Sequence, residues 1–552
     1  MSAPNRPKVS AHHHMTEKTE VLIAGAGPVG LTLAIALGQQ GIRCTLLERN
    51  EKPSFLPKME RCNARTMEIF RRLGLSQSIR KAGFDVDLPM DVFIVNSLVE
   101  EPILHLEYPS VTQMQEQIRQ TNDGSAPLEP YQLISQYTLE PLLKAYAETL
   151  PSVTVAFGHE VTSFTQDDSG VTVQVQCKDG SQKTLQGAYL VGCDGGASTI
   201  RKQLDIALSG QGGIMELRQA FFRSDTLFDQ ISIGKGRHYH VADSQNTGIV
   251  VQDDLKHFSL HSVVEKDEDM ADVLRRVIGM PVDFEMLYVG KWTQHLLVAD
   301  SYRKGRVFLA GDSAHLVIPT GGLGMNTGIG DAIDLAWKLA GTLQGWGGKA
   351  LLDSYEIERR QVGQRNVNAS GFAAKGRGAW RKTWCPEIAE HSPRGEEARR
   401  RMAEVADREQ RKTNEQRGTE LGYIYQNTPI VCSEPGQAPE SGVFDYLPTT
   451  SPGARVPHVW LDDGTPLQDH FGHGFTILRA GASQEDVSAL ASALQAFGAP
   501  VDVLDVPDTT VRAVVQSDLL LLRPDLHVVW RGDRAPNDPQ QIAAVATGRS
   551  PA

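Results

Sequence analysis

Three clusters of glycines and carboxylates carry the chemistry that this chain could do. The first is Gly25-Ala26-Gly27-Pro28-Val29-Gly30, with Glu48-Arg49 following at the end of the next apolar run. Gly25 suits a tight turn, Gly27 lets a backbone approach a pyrophosphate, and Gly30 lets a helix pack on a strand. The N–H groups that open the helix, with its partial positive charge, then face a phosphate. Pro28, Val29 and Arg49 belong to the same cradle. Glu48 would accept hydrogen bonds from ribose hydroxyls and disfavour a 2′-phosphate, so the site suits FAD or NAD better than NADP. The second cluster is Gly192-Cys193-Asp194-Gly195-Gly196-Ala197-Ser198. The third is Gly311-Asp312-Ser313-Ala314-His315, followed by Pro319-Thr320-Gly321-Gly322-Leu323-Gly324-Met325-Asn326. A carboxylate at a strand end can bind sugar-like hydroxyls. Glycine-rich backbone opening a helix can offer N–H groups to a phosphate or a developing negative charge.

The surrounding pattern supplies the elements that must hold these clusters. Residues 20–24 read as a buried strand, 29–40 as a helix and 42–47 as a second strand. Residues 63–73 have helical spacing, with Gly74 as a C-cap. Residues 85–130 look strand- and loop-like, with 113–129 an exposed polar excursion. Residues 136–150 read as a helix, and 153–185 alternate as hairpins around Asp179-Gly180. Short alternating runs over 217–290 suggest a mixed or antiparallel sheet. Residues 306–310 form another buried strand, 331–343 a helix, and 353–420 a charged helical region. Residues 433–453 are rich in Pro, Gly and Ser and read as a linker. A small α/β unit with three strands and one Ala-rich helix closes the chain.

Together the three clusters resemble the class A flavoprotein aromatic monooxygenases, the para-hydroxybenzoate hydroxylase and phenol hydroxylase group. The tail resembles the thioredoxin-like unit of the phenol hydroxylase branch in Gly453-Ala454-Arg455-Val456-Pro457-His458, Asp469-His470-Phe471-Gly472 and Arg523-Pro524-Asp525. The resemblance implies an α/β fold: a Rossmann-like (GR2-type) FAD-binding domain, an inserted mixed β-sheet substrate domain and a C-terminal thioredoxin-like α/β domain. The expected division is a disordered tail over 1–18 and a discontinuous FAD-binding domain over 19–90, 131–205 and 291–375. The substrate-binding sheet takes 91–130 and 206–290, a helical connector 376–440, and the thioredoxin-like domain 441–552. Residues 453–552 hold no cysteine, so that domain would be structural or interfacial, homodimer formation included.

By the same resemblance, Gly25, Gly27, Gly30 and Glu48 hold the ADP half of FAD. Arg61 and Gln136 contact the cofactor, Asp194 serves FAD and NAD(P)H, and Gly311-Asp312 binds the ribitol chain. Backbone N–H groups of the loop through Gly322, Leu323, Gly324, Met325 and Asn326 stabilise charge on reduced flavin. NADPH or NADH would dock transiently, because no second glycine fingerprint has a strand before it and an acid after it. The implied reaction is hydroxylation of a phenolic ring with O2 through a flavin C4a-hydroperoxide. Two alternatives stay open: epoxidation or Baeyer–Villiger oxidation of a polyketide- or antibiotic-type substrate on the same scaffold, and a flavin-binding protein without turnover. Such a hydroxylase needs a proton acceptor for the phenol. Tyr239 and His240 are the candidates for it, with His261 and His295 behind them, Pro319 as a pocket contact and His315 as a structural residue near the flavin.

Composition bounds these readings. The chain has 552 residues, a length that suggests three or four units at roughly 150 residues each. Its net charge is −12, which argues against nucleic acid or an anionic membrane as partner. Six scattered cysteines with no CxxC pair argue against a disulfide framework or a zinc site, and fit a reducing, cytoplasmic setting. No segment has the ~18 apolar residues of a membrane span. The His12-His13-His14 run reads as part of the tail, not as a metal site.

Overall fold

The computed structural model describes residues 17–549; the His12–His14 run lies outside them. Five parallel strands and one short antiparallel edge strand form the sheet that carries all three clusters. Their order is Arg303–Lys304, Val307–Leu309, Tyr189–Gly192, Val21–Ala24, Cys44–Glu48 and Val153–Phe157. The central strands are apolar on both faces because helices cover both. Val21, Leu22 and Ile23 are fully buried, as are Leu190, Val191 and Val307 to Leu309. The glycine turn, the Asp194 turn and the Asp312 turn leave the carboxyl ends of three neighbouring strands. Topology therefore brings together residues nearly three hundred positions apart. The strand Val153–Phe157 joins this sheet beside Cys44–Glu48, whereas the sequence assigned it to a hairpin.

Four strands form a smaller sheet, ordered Glu17–Lys18, Gln182–Gly187, Gly170–Cys177 and His159–Asp167. Glu17 and Lys18 pair in parallel with Leu185 and Gln186. Glu17 and Lys18, expected to belong to a disordered tail, are therefore part of this sheet.

A mixed seven-stranded sheet forms the wall opposite the glycine turns. Its order is Glu285–Thr293, Glu216–Arg223, His257–Ser262, Gly248–Val251, His238–Val241, Val92–Val95 and Leu104–Leu106. Only the pair His238–Val241 with Val92–Val95 is parallel. One face packs on the helix Asp269–Ile278 through Val277, Leu274 and Met270. The stretch expected to be an exposed excursion holds a helix, Val111–Arg119, opened by a capping box between Ser110 and Gln113. Val111 and Ile118 are buried, as is Glu129 beyond it.

Two long helices complete the frame. Leu323–Leu343 begins eight residues earlier than the sequence suggested, so Leu323 to Asn326 are its first turn and not loop. Lys349–Arg381 spans 33 residues, about 50 Å at ~1.5 Å per residue, and Pro393–Asn414 packs along its second half. The C-terminal sheet has the order Val501–Val506, Phe475–Ala480, Leu519–Leu522 and Val528–Gly532, with only the first pair parallel. Three helices accompany it: Ser488–Ala496, Thr509–Val515 and Pro539–Ala546. The Pro/Gly/Ser-rich stretch before it has no regular structure but is partly buried, with Tyr446, Thr450 and Ser451 packed inside.

The tail motifs turn out to be its contacts with the rest of the chain. Arg455 pairs with Glu68, Asp469 with Arg71, and Arg523 with Glu358 and Asp334. These contacts all lie within one chain. All six cysteines are free thiols. Among the described residues no helix is long and apolar enough to cross a membrane, and no His/Cys/Asp/Glu group has the arrangement of a metal site.

Candidate active site

One cleft of about 950 Å³ runs from the glycine turn to the seven-stranded sheet. At its first end, Gly25 adopts φ +104°, and a Cβ there would sit 2.3 Å from the Cys193 carbonyl oxygen. Only glycine fits that turn. A Cβ on Gly30 would lie 2.0 Å from the Gly25 oxygen, so Gly30 closes the helix onto the turn. Above Gly27 the only protein atom near an added Cβ is Glu140 Oε1, at 4.0 Å. The helix Pro28–Gln39 starts there with no side-chain cap and no acidic residue in its first turn. Its leading N–H groups therefore face the cleft unpaired by protein caps, which is the arrangement a pyrophosphate requires.

Glu48 is held for its task from below. Its Oε2 accepts the Ala26 N–H at 2.9 Å, and its Oε1 accepts the Asn50 N–H at 2.9 Å. Arg49 stands exposed on the cleft rim. Asp312 also borders the cleft. It is exposed to the cleft, and desolvation by the surrounding walls raises its carboxyl above the ordinary value, with His315 and Lys58 opposing. Beneath the Gly311-Asp312 turn, Asp331 accepts from His315 Nε2 at 2.7 Å, from Arg359 Nε at 2.8 Å and from the Gly311 N–H at 3.0 Å. His315 is thus a buried structural residue, as expected.

The other predicted cofactor residues divide into wall and support. Gly25, Gly27, Pro28, Val29, Arg61, Gln136, Asp194, Gly322, Gly324 and Met325 line the cleft. Gln136 is fixed by Glu140 at 2.6 Å, and Arg61 is paired with Glu420. Asp194 Oδ1 accepts from Ser198 Oγ at 2.5 Å and Oδ2 from the Ile200 N–H at 3.1 Å, so its carboxylate caps the following short helix. Gly30, Gly311, Leu323 and Asn326 do not line the cleft. Leu323 is in the core. Asn326 instead accepts the Asn63 N–H at 2.9 Å and donates to the Arg61 oxygen at 3.0 Å, tying the helix start to the Arg61 strand.

At the sheet end, one sequence candidate is displaced and another gains neighbours. Successive side chains of a strand point to opposite faces. In His238–Val241, His238 and His240 therefore face the cleft, while Tyr239 faces the core. The Tyr239 ring stacks on Phe93 at 5.1 Å, and its hydroxyl donates to the Gly234 oxygen at 2.8 Å. Tyr239 is consequently structural, and the adjacent pair Tyr239/His240 cannot serve one site. His240, His261, His295 and Pro319 do line the cleft. Burial, with Arg377 and Arg381 nearby, holds His240 well below the ordinary imidazole range. Burial likewise takes His261 down to about 4.

Sequence reasoning missed the Glu60–His238 pair. His238 Nε2 donates to Glu60 Oε1 at 2.7 Å, and both side chains line the cleft. Burial pushes the Glu60 carboxyl up, but His238, Arg237 and His261 outweigh it and hold it at about 2. It also missed Arg377 and Arg381, which reach the cleft from the helix Lys349–Arg381, and Gln410, which reaches it from Pro393–Asn414. The alternation of residues 237–240 was a usable signal for His238; a charged helix gives none for Arg377.

The comparisons agree with this geometry. The model of the FAD binding domain family matches residues 18–370, and that of the aromatic-ring hydroxylase C-terminal family matches residues 449–548. The chain belongs to the FAD-binding aromatic-ring hydroxylases. Over 96% of its length it is 33% identical to the FAD-dependent monooxygenase apdD of Emericella nidulans, covering 90% of that protein. Over 94% it is 30% identical to a 4-methyl-5-nitrocatechol 5-monooxygenase of a Burkholderia species, covering 95% of it. The rebeccamycin biosynthetic enzyme RebC, solved with reduced flavin, superposes with a TM-score of 0.88 at 30% identity, over 97% of this chain and 100% of that one. The protein is thus an FAD-dependent monooxygenase of the aromatic or polyketide hydroxylase type, and FAD is its cofactor.

Proposed function

We propose that the protein takes electrons from NADH or NADPH and inserts one oxygen atom of O2 into a phenolic ring. One observation carries this reading: a single cleft joins the dinucleotide turn to a sheet face whose His238 imidazole pairs with the Glu60 carboxylate. Bound FAD supplies the electron storage and oxygen activation. The chain's own residues do the rest. Glu48 and the N–H groups opening at Gly27 hold the ADP half, and Asp194, Asp312, Arg61, Gln136 and the Gly322–Met325 turn border the flavin half. Pro319, His240 and His261 shape the ring site. Glu60, anchored by the His238 Nε2–H, accepts a hydrogen bond from the phenol O–H and polarises it. That raises electron density on the ring, which is what attack on electrophilic oxygen requires. The nitrocatechol relative, whose name places a phenolic substrate in its own site, supports the phenol class here.

The separate hydrophobic clusters of the six-stranded, seven-stranded and C-terminal sheets support the three-domain division. The strand order of the last sheet supports a thioredoxin-like tail. The test is NADH and NADPH oxidation by purified holoenzyme against phenols, hydroxybenzoates and fused polyphenols, with product mass measured. A product heavier by one oxygen is expected from at least one class. Peroxide alone from every aromatic would sink the reading.

A further inference from the structure

The sheet end of the cleft holds more positive charge than it neutralises. The helix Lys349–Arg381 passes the Pro319 loop at Ser370, whose Oγ donates to the Ile318 oxygen at 2.9 Å. Arg377 follows seven residues later, two turns or about 10 Å along the same helix face, and borders the cleft. Its Nε is buried without a hydrogen-bond partner. Among the described residues, no carboxylate lies within ion-pairing distance of its guanidinium, while forty-odd other pairs are satisfied.

On the helix of Arg377, Arg381 is a second cation; it donates to the Val241 and Thr247 carbonyls at 3.1 and 3.0 Å. Across the cleft stand His238 and His240 on one strand and His261 on another. Gln410, Thr413 and Asn414 face it from the helix Pro393–Asn414. Glu60 is the nearest acid and is engaged by His238. Asp243 is engaged by Arg276 at 2.9 Å. Burial lowers Arg377 to about 10 against the pull of Glu60, and Arg381 to about 9 against that of Asp243, 3.9 Å away. A half-buried guanidinium without a carboxylate partner is free to receive an anion from a ligand, and its planar fork suits an oxyanion.

We infer that Arg377 receives an anionic oxygen of the substrate, a carboxylate or an ionised ring hydroxyl, so that the enzyme selects acidic aromatics. This rests on the reading of the cleft as an aromatic site. Arg377 fixes which end of the substrate enters, leaving the ring hydroxyl for Glu60.

The test uses the FAD-loaded enzyme and three probes: 1-hydroxy-2-naphthoate, its methyl ester and 1-naphthol. Dissociation constants are read from the perturbed flavin absorbance in the wild type, Arg377→Met and Arg377→Lys, with flavin content and melting temperature as folding controls. The wild type is expected to bind the naphthoate at least about tenfold tighter than the ester. Arg377→Met should erase that preference while still binding the ester, and Arg377→Lys should keep part of it. If the anion is an ionised hydroxyl, the ester and naphthol instead tighten as pH rises through their own ionisation, in the wild type and not in Arg377→Met. Equal binding of all three probes at every pH, or a preference that survives in Arg377→Met, overturns the inference alone. No binding of any probe by flavin-loaded enzyme overturns it together with the aromatic-site reading.

Discussion

Arg455 Nε donates to Glu68 Oε2 at 2.7 Å, joining the C-terminal unit to the helix Ala64–Arg72 in a contact from which water is excluded. Glu68 also accepts the Leu128 N–H at 2.8 Å, and Arg65, one turn before it, donates to the Asp525 oxygen at 3.1 Å. The same helix is capped by Asn63 and tied through Asn326 to the loop beside the flavin site. The tail therefore steadies one wall of the cleft.

Removing Arg455 leaves the buried Glu68 with only Arg65 at 3.5 Å and the Leu128 N–H as partners, at a cost of up to about 3–5 kcal/mol. Arg455→Met should lower stability by that order in urea titration and weaken FAD retention. Adding Glu68→Gln to it should restore part of the stability, because the stranded charge is gone. A single variant as stable as the wild type would contradict this role.

The glycine turn gives a sharper expectation. Gly25→Ala places a Cβ 2.3 Å from the Cys193 oxygen at φ +104°, so the purified variant should carry almost no flavin. Glu48→Ala frees the Ala26 N–H and removes the ribose acceptor. Its FAD dissociation constant should rise roughly tenfold or more. Flavin absorbance after gel filtration checks both.

These residues were legible in the sequence because each is demanded by backbone geometry. Gly25, Gly27, Gly30 and Glu48 have the spacing of one strand–turn–helix–strand unit, and parallel strands deliver Asp194 and Asp312 to the same edge. The substrate end was not legible in that way. Tyr239 and His240 are neighbours in sequence but lie on opposite faces of a strand. Glu60, His238 and Arg377 meet only through tertiary packing. The helix Val111–Arg119 was hidden because its exposed face is polar, although its capping box, Ser110 with Gln113, stands in the sequence.

The buried cluster of Asp334, Glu358, Asp525, Lys338 and Arg523 sets a pH response. Burial, with Glu358 and Asp525 nearby, raises the Asp334 carboxyl from its ordinary 3.8 to about 7. A pKa higher in the folded chain than in the unfolded one gives stability that is fully present below the unfolded value and is lost as pH rises through the folded one. Asp334 therefore costs the fold stability as pH rises from about 4 to about 7. Glu358, held at about 2 by Arg523 and Lys338 against its burial, has the opposite sign and matters only below about 4.5. Asp334→Asn should flatten the fall of melting temperature between about pH 4 and 7. An unchanged slope would show that the proton sits elsewhere.

The last prediction concerns the phenol's proton. At about 2, the Glu60 carboxyl is ionised throughout the working range, so it adds no acid limb to the rate profile. Its depressed value instead gives stability present above about 4.5 and lost as pH falls toward 2. Glu60→Gln keeps the shape and the hydrogen bond to His238 but cannot hold the negative charge that draws the proton. Product formation should fall about a hundredfold, while flavin content and NAD(P)H binding hold. Because reduction is spared, the lost product should appear as peroxide. Glu60→Asp should recover part of the product yield if its shorter carboxylate still reaches the ring hydroxyl. Measuring hydroxylated product and peroxide together separates a lost proton acceptor from a collapsed pocket, since a collapsed pocket would also lose the perturbation of flavin absorbance by bound phenol.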